Sequence, residues 1–228
     1  MCSHYESVKN RDVLKHHFKL DAAPEGEKAD IWPGYLCAFI RKPETEISGE
    51  TAVSERKLLL GSFGLIPHWA TDTKIARSTY NARSETVADK PSFRDSWRAS
   101  RLCIIPADAF YEPDWRSGKA IPTRISRVDG KPMGIAGLWS AWKSPKGEII
   151  HSYTMLTINA DTHPLMHLFH KPTDEKRMVV VLHDDQYSDW LNAEQDDSRG
   201  FLREYPAVLL TAESKLSALV DIKQGSIF

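Results

Sequence analysis

Apolar positions in this chain come in short runs that suit strands better than long helical stripes. The segments "YLCAFIR", "KLLLGSFGLI", "RLCIIPADAFYE", "TRISRV", "MGIAGLWSAW", "IHSYTMLTINA", "KRMVVVL" and "AVLLTAE" each read as a strand. Helical spacing appears at "NRDVLKHHFKL", where Val13, Leu14, Phe18 and Leu20 recur, and short helices are predicted around "SETVAD", "PSFRDSWRA" and "DQYSDWLNAE". Because helices do not alternate regularly with strands, the pattern argues against a doubly wound parallel sheet. It predicts a mainly β, barrel-like core decorated by short helices. The polar, Pro/Gly-punctuated "APEGEKADIWPG" reads as a loop. No repeat or low-complexity tract divides the chain, so residues 1–228 are expected to form one domain.

Composition narrows the setting. A chain of 228 residues buries a core without disulfide or metal staples. No apolar run approaches the ~18 residues of a membrane span, and no basic-then-apolar signal peptide opens the sequence. A cytoplasmic protein with reduced thiols is expected. Its three cysteines form no CxxC pair and no zinc spacing. Cys37 and Cys103 lie in apolar runs and read as buried packing residues. Cys2 has no such context and sits where chains fray. With Met1 removed, it would carry a thiol and a free α-amine on adjacent atoms.

A net charge of −1 gives no global field for nucleic acid. The distribution is less even: seven basic and three acidic side chains between Lys74 and Arg101 leave that stretch at +4 and the remainder at −5. This is either a local basic face, including Arg77, or a solvated surface of mixed charge.

Three constellations are candidates for chemistry. In "HPLMHLFH", His163, His167 and His170 would share a helix face, but no carboxylate or cysteine stands nearby at ligand spacing. General acid–base work by one of them, with the others near the surface, is the better reading. In "STYNARSET", Asn81 and Arg83 would face the same way in an extended segment. Arg83 supplies a fork suited to phosphate, or else a structural pair with Glu85. In "ADAFYEPDW", Glu112 ends an apolar strand; partly buried, it would have a raised pKa and shuttle protons, and solvated it would do neither.

Together these segments resemble the SOS-response-associated peptidase family, the abasic-site processing proteins. The matching pieces are "MC" at the start, "GLIPHW" at 64–69, "NARSET" at 81–86, "RLCIIPADAFYE" at 101–112, "AGLWSAW" at 136–142, "TMLTINA" at 154–160 and "HKPTDEKRMVVVL" at 170–182. They follow the family's order across most of the chain. The resemblance implies a single α+β domain around a distorted, mainly antiparallel β-barrel with short peripheral helices. It also implies binding of single-stranded or junction DNA carrying an abasic site, by a monomer without metal or cofactor, nucleoid-associated when bound. The Cys2 α-amine would attack the ring-opened sugar aldehyde to form a Schiff base, and the thiol would close a thiazolidine. The peptidase label would then describe self-processing at Cys2, with lyase-like Schiff-base chemistry alongside. An α-amine has a pKa of about 7.7–8.0 against about 10.4 for lysine, so it is neutral roughly 300-fold more often near pH 7.

By the same resemblance Glu112 orients the amine and relays protons. His170 opens the sugar as acid–base, Asn81 hydrogen-bonds the Cys2–lesion region, and Arg83 grips a phosphate. Arg177 would be a further phosphate contact, with Trp69 and Phe93 as apolar surfaces for unstacked bases. The chain departs from the family pattern at Ser3, His4, Phe63, Ala109 and Pro113. Asp30, in "DIWPG", stands at an Asn position, and Lys171 to Glu175 lengthen the spacing between His170 and "KRM". Two other classes remain open: an N-terminal-nucleophile cysteine amidohydrolase or peptidase, and a non-catalytic DNA-binding accessory protein.

Overall fold

The computed structural model describes residues 2–23, 28–43 and 55–214. Met1, four residues of the expected "APEGEKADIWPG" loop and the end of the expected domain lie outside them. The strands are β1 (Tyr5–Glu6), β2 (Asp30–Ile31), β3 (Leu36–Arg41), β4 (Lys57–Phe63), β5 (Asn81–Arg83), β6 (Leu102–Ala107), β7 (Ala109–Asp114), β8 (Ile121–Arg127), β9 (Met133–Lys143), β10 (Ile149–Asn159), β11 (Arg177–Val179), β12 (Val181–Leu182) and β13 (Leu210–Ser214). The helices are α1 (Arg11–Phe18), α2 (Arg94–Arg98), α3 (Tyr187–Asn192) and α4 (Gln195–Ser198).

Strands β10, β4, β3, β6 and β9 pair in that order, and β9 pairs back onto β10, closing a barrel. Closure satisfies edges that would otherwise recruit other chains. Every pairing in the ring is antiparallel except β10 with β4, which places Ser152 beside Ser62 and Tyr153 beside Phe63. The ring is therefore distorted, as the family resemblance implied. A second, antiparallel sheet runs β13-β8-β7-β1-β2. The run expected as one strand, "RLCIIPADAFYE", breaks at Asp108 into β6 of the barrel and β7 of the second sheet, joining the two layers.

Phe39, Phe63, Ile104, Ile105, Leu138, Tyr153 and Leu156 are buried in one principal core. The chain leaves the flank of β10 at Gly64 and returns to it as β5, parallel to β10 with Asn81 beside Met155. Gly64 has φ +116°, and a Cβ there would lie 1.9 Å from the Ala76 carbonyl oxygen, so only glycine fits this exit. Helix α1 forms as expected. Its Asn10 cap accepts from the Asp12 and Val13 N–H groups, and Leu14 and Phe18 are buried while Val13 is exposed.

Two expectations are corrected. "SETVAD" forms turns, closed by bonds such as Thr86 N to Arg83 O and Asp89 N to Thr86 O. "HPLMHLFH" contains only a short 3-10 turn, Met166–Leu168, so its histidines do not share a helix face. His163 is buried rather than near the surface. Its Nδ1 accepts from the Leu165 and Met166 N–H groups, and its Nε2 donates to the Tyr205 carbonyl. That is a structural histidine, held at both nitrogens.

Candidate active site

Residues before β1 lie along β7, with the Tyr111 N–H donating to the His4 carbonyl at 2.9 Å. Position 2 does not fray: Cys2 is 1% exposed. Its Sγ donates to the His4 carbonyl at 3.4 Å, and its own carbonyl accepts from Asn81 Nδ2 at 2.7 Å. β5 thus delivers Asn81 to the cysteine. Strand alternation puts Arg83 on the same side of β5, at its exposed end. The Asn81 Oδ1 is buried and has no partner among the described residues, which leaves an acceptor available beside Cys2.

Glu112 reaches the same place by strand periodicity. Phe110, Glu112 and Asp114 alternate with Tyr111 and Pro113 along β7, so the face that buries Phe110 also buries Glu112. Burial raises its carboxyl pKa to about 7. The same burial pushes the Cys2 thiol far above its usual range, and the charge of Glu112 acts in the same direction. The resting site therefore holds a thiol and not a thiolate.

His170 is brought in by a local device. An isolated bridge joins Asp114 to Phe169, and the His170 N–H donates to the Pro113 carbonyl at 2.9 Å. His170 itself takes φ +64°, a sparsely populated region that persists where surroundings enforce it. Its Nε2 lies 3.1 Å from the Arg177 carbonyl and its Nδ1 lies 3.3 Å from Glu112 Oε2. A carbonyl only accepts, so Nε2 carries the hydrogen and the neutral ring turns a bare Nδ1 toward Glu112. Burial lowers the His170 pKa to about 4. Near pH 7 the pair is a neutral imidazole and a carboxyl group poised to gain or lose its proton.

A buried cysteine thus sits with an amide, a carboxyl of near-neutral pKa and a neutral imidazole, in the sequence context noted above. A family model described as "SOS response associated peptidase (SRAP)" matches residues 1–219. The chain belongs to the SRAP family. It is 35% identical to the "Abasic site processing protein YoqW" of Bacillus subtilis, over 86% of this chain and 83% of that protein. With the "Abasic site processing protein HMCES" of Gallus gallus it shares 30% identity over 47% of this chain and 38% of the relative. Among solved structures, a crystal structure of a Bordetella bronchiseptica protein matches with TM-score 0.84 and 47% identity, covering 93% of this chain and 99% of that one.

Within this SRAP domain the expected DNA-facing residues divide. Trp69 is 47% exposed, anchored by Nε1 on the Pro91 carbonyl, and Arg77 is exposed. Phe93, expected as a surface for bases, is instead buried in the core. Arg177 is also buried, its guanidinium donating to Glu85, Glu175 and the Thr157 carbonyl. A direct phosphate contact would require those carboxylates to leave, so Arg177 is placed to hold the His170 segment through its carbonyl. Glu85 pairs with Arg177 and not with Arg83. Arg83 instead pairs with Glu175 at 2.9 Å, a carboxylate carried by the extra residues after His170. Sequence reading missed this partner, as it missed the stacked rings of His4, Trp32 and Tyr111. No group of three or more His, Cys, Asp or Glu poised for a metal occurs among the described residues.

Proposed function

We propose that this SRAP protein captures abasic sites in single-stranded DNA covalently through Cys2, once Met1 is removed, and so shields the lesion. The observation that supports this most directly is Cys2 buried beside Asn81, with the Glu112–His170 pair next to it. The name "abasic site processing protein" carried by relatives points to the same substrate.

The raised thiol pKa makes the α-amine the first nucleophile. It adds to the aldehyde carbon of the ring-opened deoxyribose, and the resulting carbinolamine loses water to give an iminium. The Glu112 carboxyl, half-protonated near pH 7, supplies the proton that the departing hydroxyl needs. The thiol sulfur then adds to the iminium carbon, forming the C–S bond, and its proton passes to the Glu112 carboxylate. One water is released overall, and the proton donor is restored. In the earlier ring opening, His170 takes the C1 hydroxyl proton on its bare Nδ1 while the Glu112 carboxyl protonates the departing ring oxygen. The proton then passes from Nδ1 to Glu112 across their 3.3 Å contact, restoring both groups. Asn81 fixes the Cys2 carbonyl and offers its free Oδ1 to the amine or to the sugar. Arg83 and the basic 74–101 stretch, with exposed Trp69, form the DNA face.

The test is a denaturing gel of protein verified by mass to begin at Cys2, mixed with an oligonucleotide carrying one abasic site. A band that survives denaturation and disappears in Cys2→Ala is the expected result. No band from the verified protein would overturn the proposal.

A further inference from the structure

We propose that Trp32 is the outer plate of a stacking column that receives one nucleobase of the strand whose lesion is held at Cys2, an assignment that rests on the function proposed above. The His4 ring lies between two aromatic rings. Its centroid is 4.2 Å from that of Trp32 at an interplanar angle of 8°, and 4.1 Å from that of Tyr111 at 9°. Three parallel rings at this spacing form a column to which a further flat ring adds with the same geometry. One face of Trp32 is covered by His4, yet the residue is still 43% exposed, and the incoming base is assigned to the face turned away from His4.

The column is rooted at the reactive residue. His4 stands two positions from Cys2, and its carbonyl receives both the Cys2 thiol and the Tyr111 N–H. The far end is equally fixed: the Tyr35 N–H closes a turn onto the Trp32 carbonyl, and the Gly34 N–H donates to Phe63 O. His4 Nε2 is held by Asp30 Oδ1 at 2.7 Å. A preorganised platform loses little freedom when a base lands on it.

Charge favours nucleic acid as the occupant. Among the described residues, Asp30 is engaged by His4, and Glu6 by Arg124 and Tyr111. The Lys28 ammonium lies 4.0 Å over the ring of Tyr35, itself 38% exposed, and supplies a cation for the phosphate beside the stacked base. Bases of any identity stack on such a surface, so the contact selects a single strand with splayed bases and not a sequence.

The experiment measures non-covalent binding by fluorescence anisotropy. The probe is single-stranded DNA carrying a tetrahydrofuran abasic analogue, which has no aldehyde, and a second base-free nucleotide is moved through the neighbouring positions. Wild type, Trp32→Ala and Trp32→Phe are compared, with melting curves to verify that each is folded. Trp32→Ala is expected to bind roughly tenfold more weakly, and Trp32→Phe to recover most of that loss. One neighbouring base should matter to wild type and not to Trp32→Ala, the signature of a direct contact between them. Unchanged affinity in Trp32→Ala, or equal losses in both proteins at every position, would overturn the assignment. A wild type that binds this probe but never crosslinks a natural abasic site would instead sink the proposed function, and the stacking result would still be read.

Discussion

Glu6 and Glu112 occupy neighbouring strands of one sheet, both largely buried, yet their chemistry is opposite. At Glu6 burial would raise the pKa, but hydrogen bonds from Arg124 at 3.1 Å and Tyr111 at 2.7 Å overcome it and bring the carboxyl down to about 2. At Glu112 burial prevails and the pKa rises to about 7; the adjacent ring, His170, is neutral because burial lowers it to about 4. A carboxylate clamped by a cation is fixed in charge and serves the fold. One facing a neutral ring keeps a proton that moves near pH 7, and lies beside Cys2, where the proposed chemistry would use it.

The comparison is broken most severely by removing the movable proton. Glu112→Gln keeps the shape of the side chain but not its titration. We expect crosslinking to slow by about 100-fold or more and to lose the wild-type dependence on a group near pH 7 in single-turnover rates. A variant with the wild-type rate and pH profile would separate Glu112 from the chemistry.

The next effect concerns stability. Glu112, raised from an unfolded value of 4.5, contributes stability fully below that pH and loses it as pH rises through about 7. His170, lowered from 6.5, contributes stability above that pH and loses it as pH falls through about 4. Between pH 4.5 and 6.5 the two slopes oppose and largely cancel. Melting curves of Glu112→Gln should therefore show a midpoint that falls on acidification through this window. Those of His170→Asn should show one that falls as pH rises through it. Flat behaviour in both variants would contradict the pairing.

Breaking the other cluster should fall mainly on the fold. Arg124→Met strands Glu6 in a largely buried position and is expected to cost about 2 kcal/mol in denaturant unfolding at neutral pH, with the pH profile of crosslinking at saturating DNA unchanged. Glu175→Gln is the mildest case. It releases the carboxylate bonded to exposed Arg83, so non-covalent DNA affinity should rise a few-fold and its salt dependence should steepen. Weaker binding would mean that Glu175 positions Arg83 and does not compete for it.

What the sequence made legible follows the same physics. The strands were readable because each apolar run is a local signal. The burial of Glu112 follows from its two-residue spacing from Phe110. The barrel's parallel β4–β10 pairing was not readable, because register between distant strands leaves no local mark. Nor was the approach of His170, which depends on a left-handed residue and a bridge to β7. Arg177 and Phe93 resembled DNA contacts by motif, but their burial comes from β10, β11 and the core packed around them. Glu175 was visible only as a lengthened spacing, and its role appears once the fold brings it to Arg83.

The most direct test of the account is the chemistry of the adduct itself. Protein beginning at Cys2 and crosslinked to an abasic oligonucleotide is weighed intact, before and after borohydride treatment. The account predicts a mass equal to the two partners less one water, located on Cys2 and unchanged by borohydride, because a thiazolidine has no imine to reduce. An adduct that gains hydrogen on treatment, or one that maps to a lysine, would contradict it.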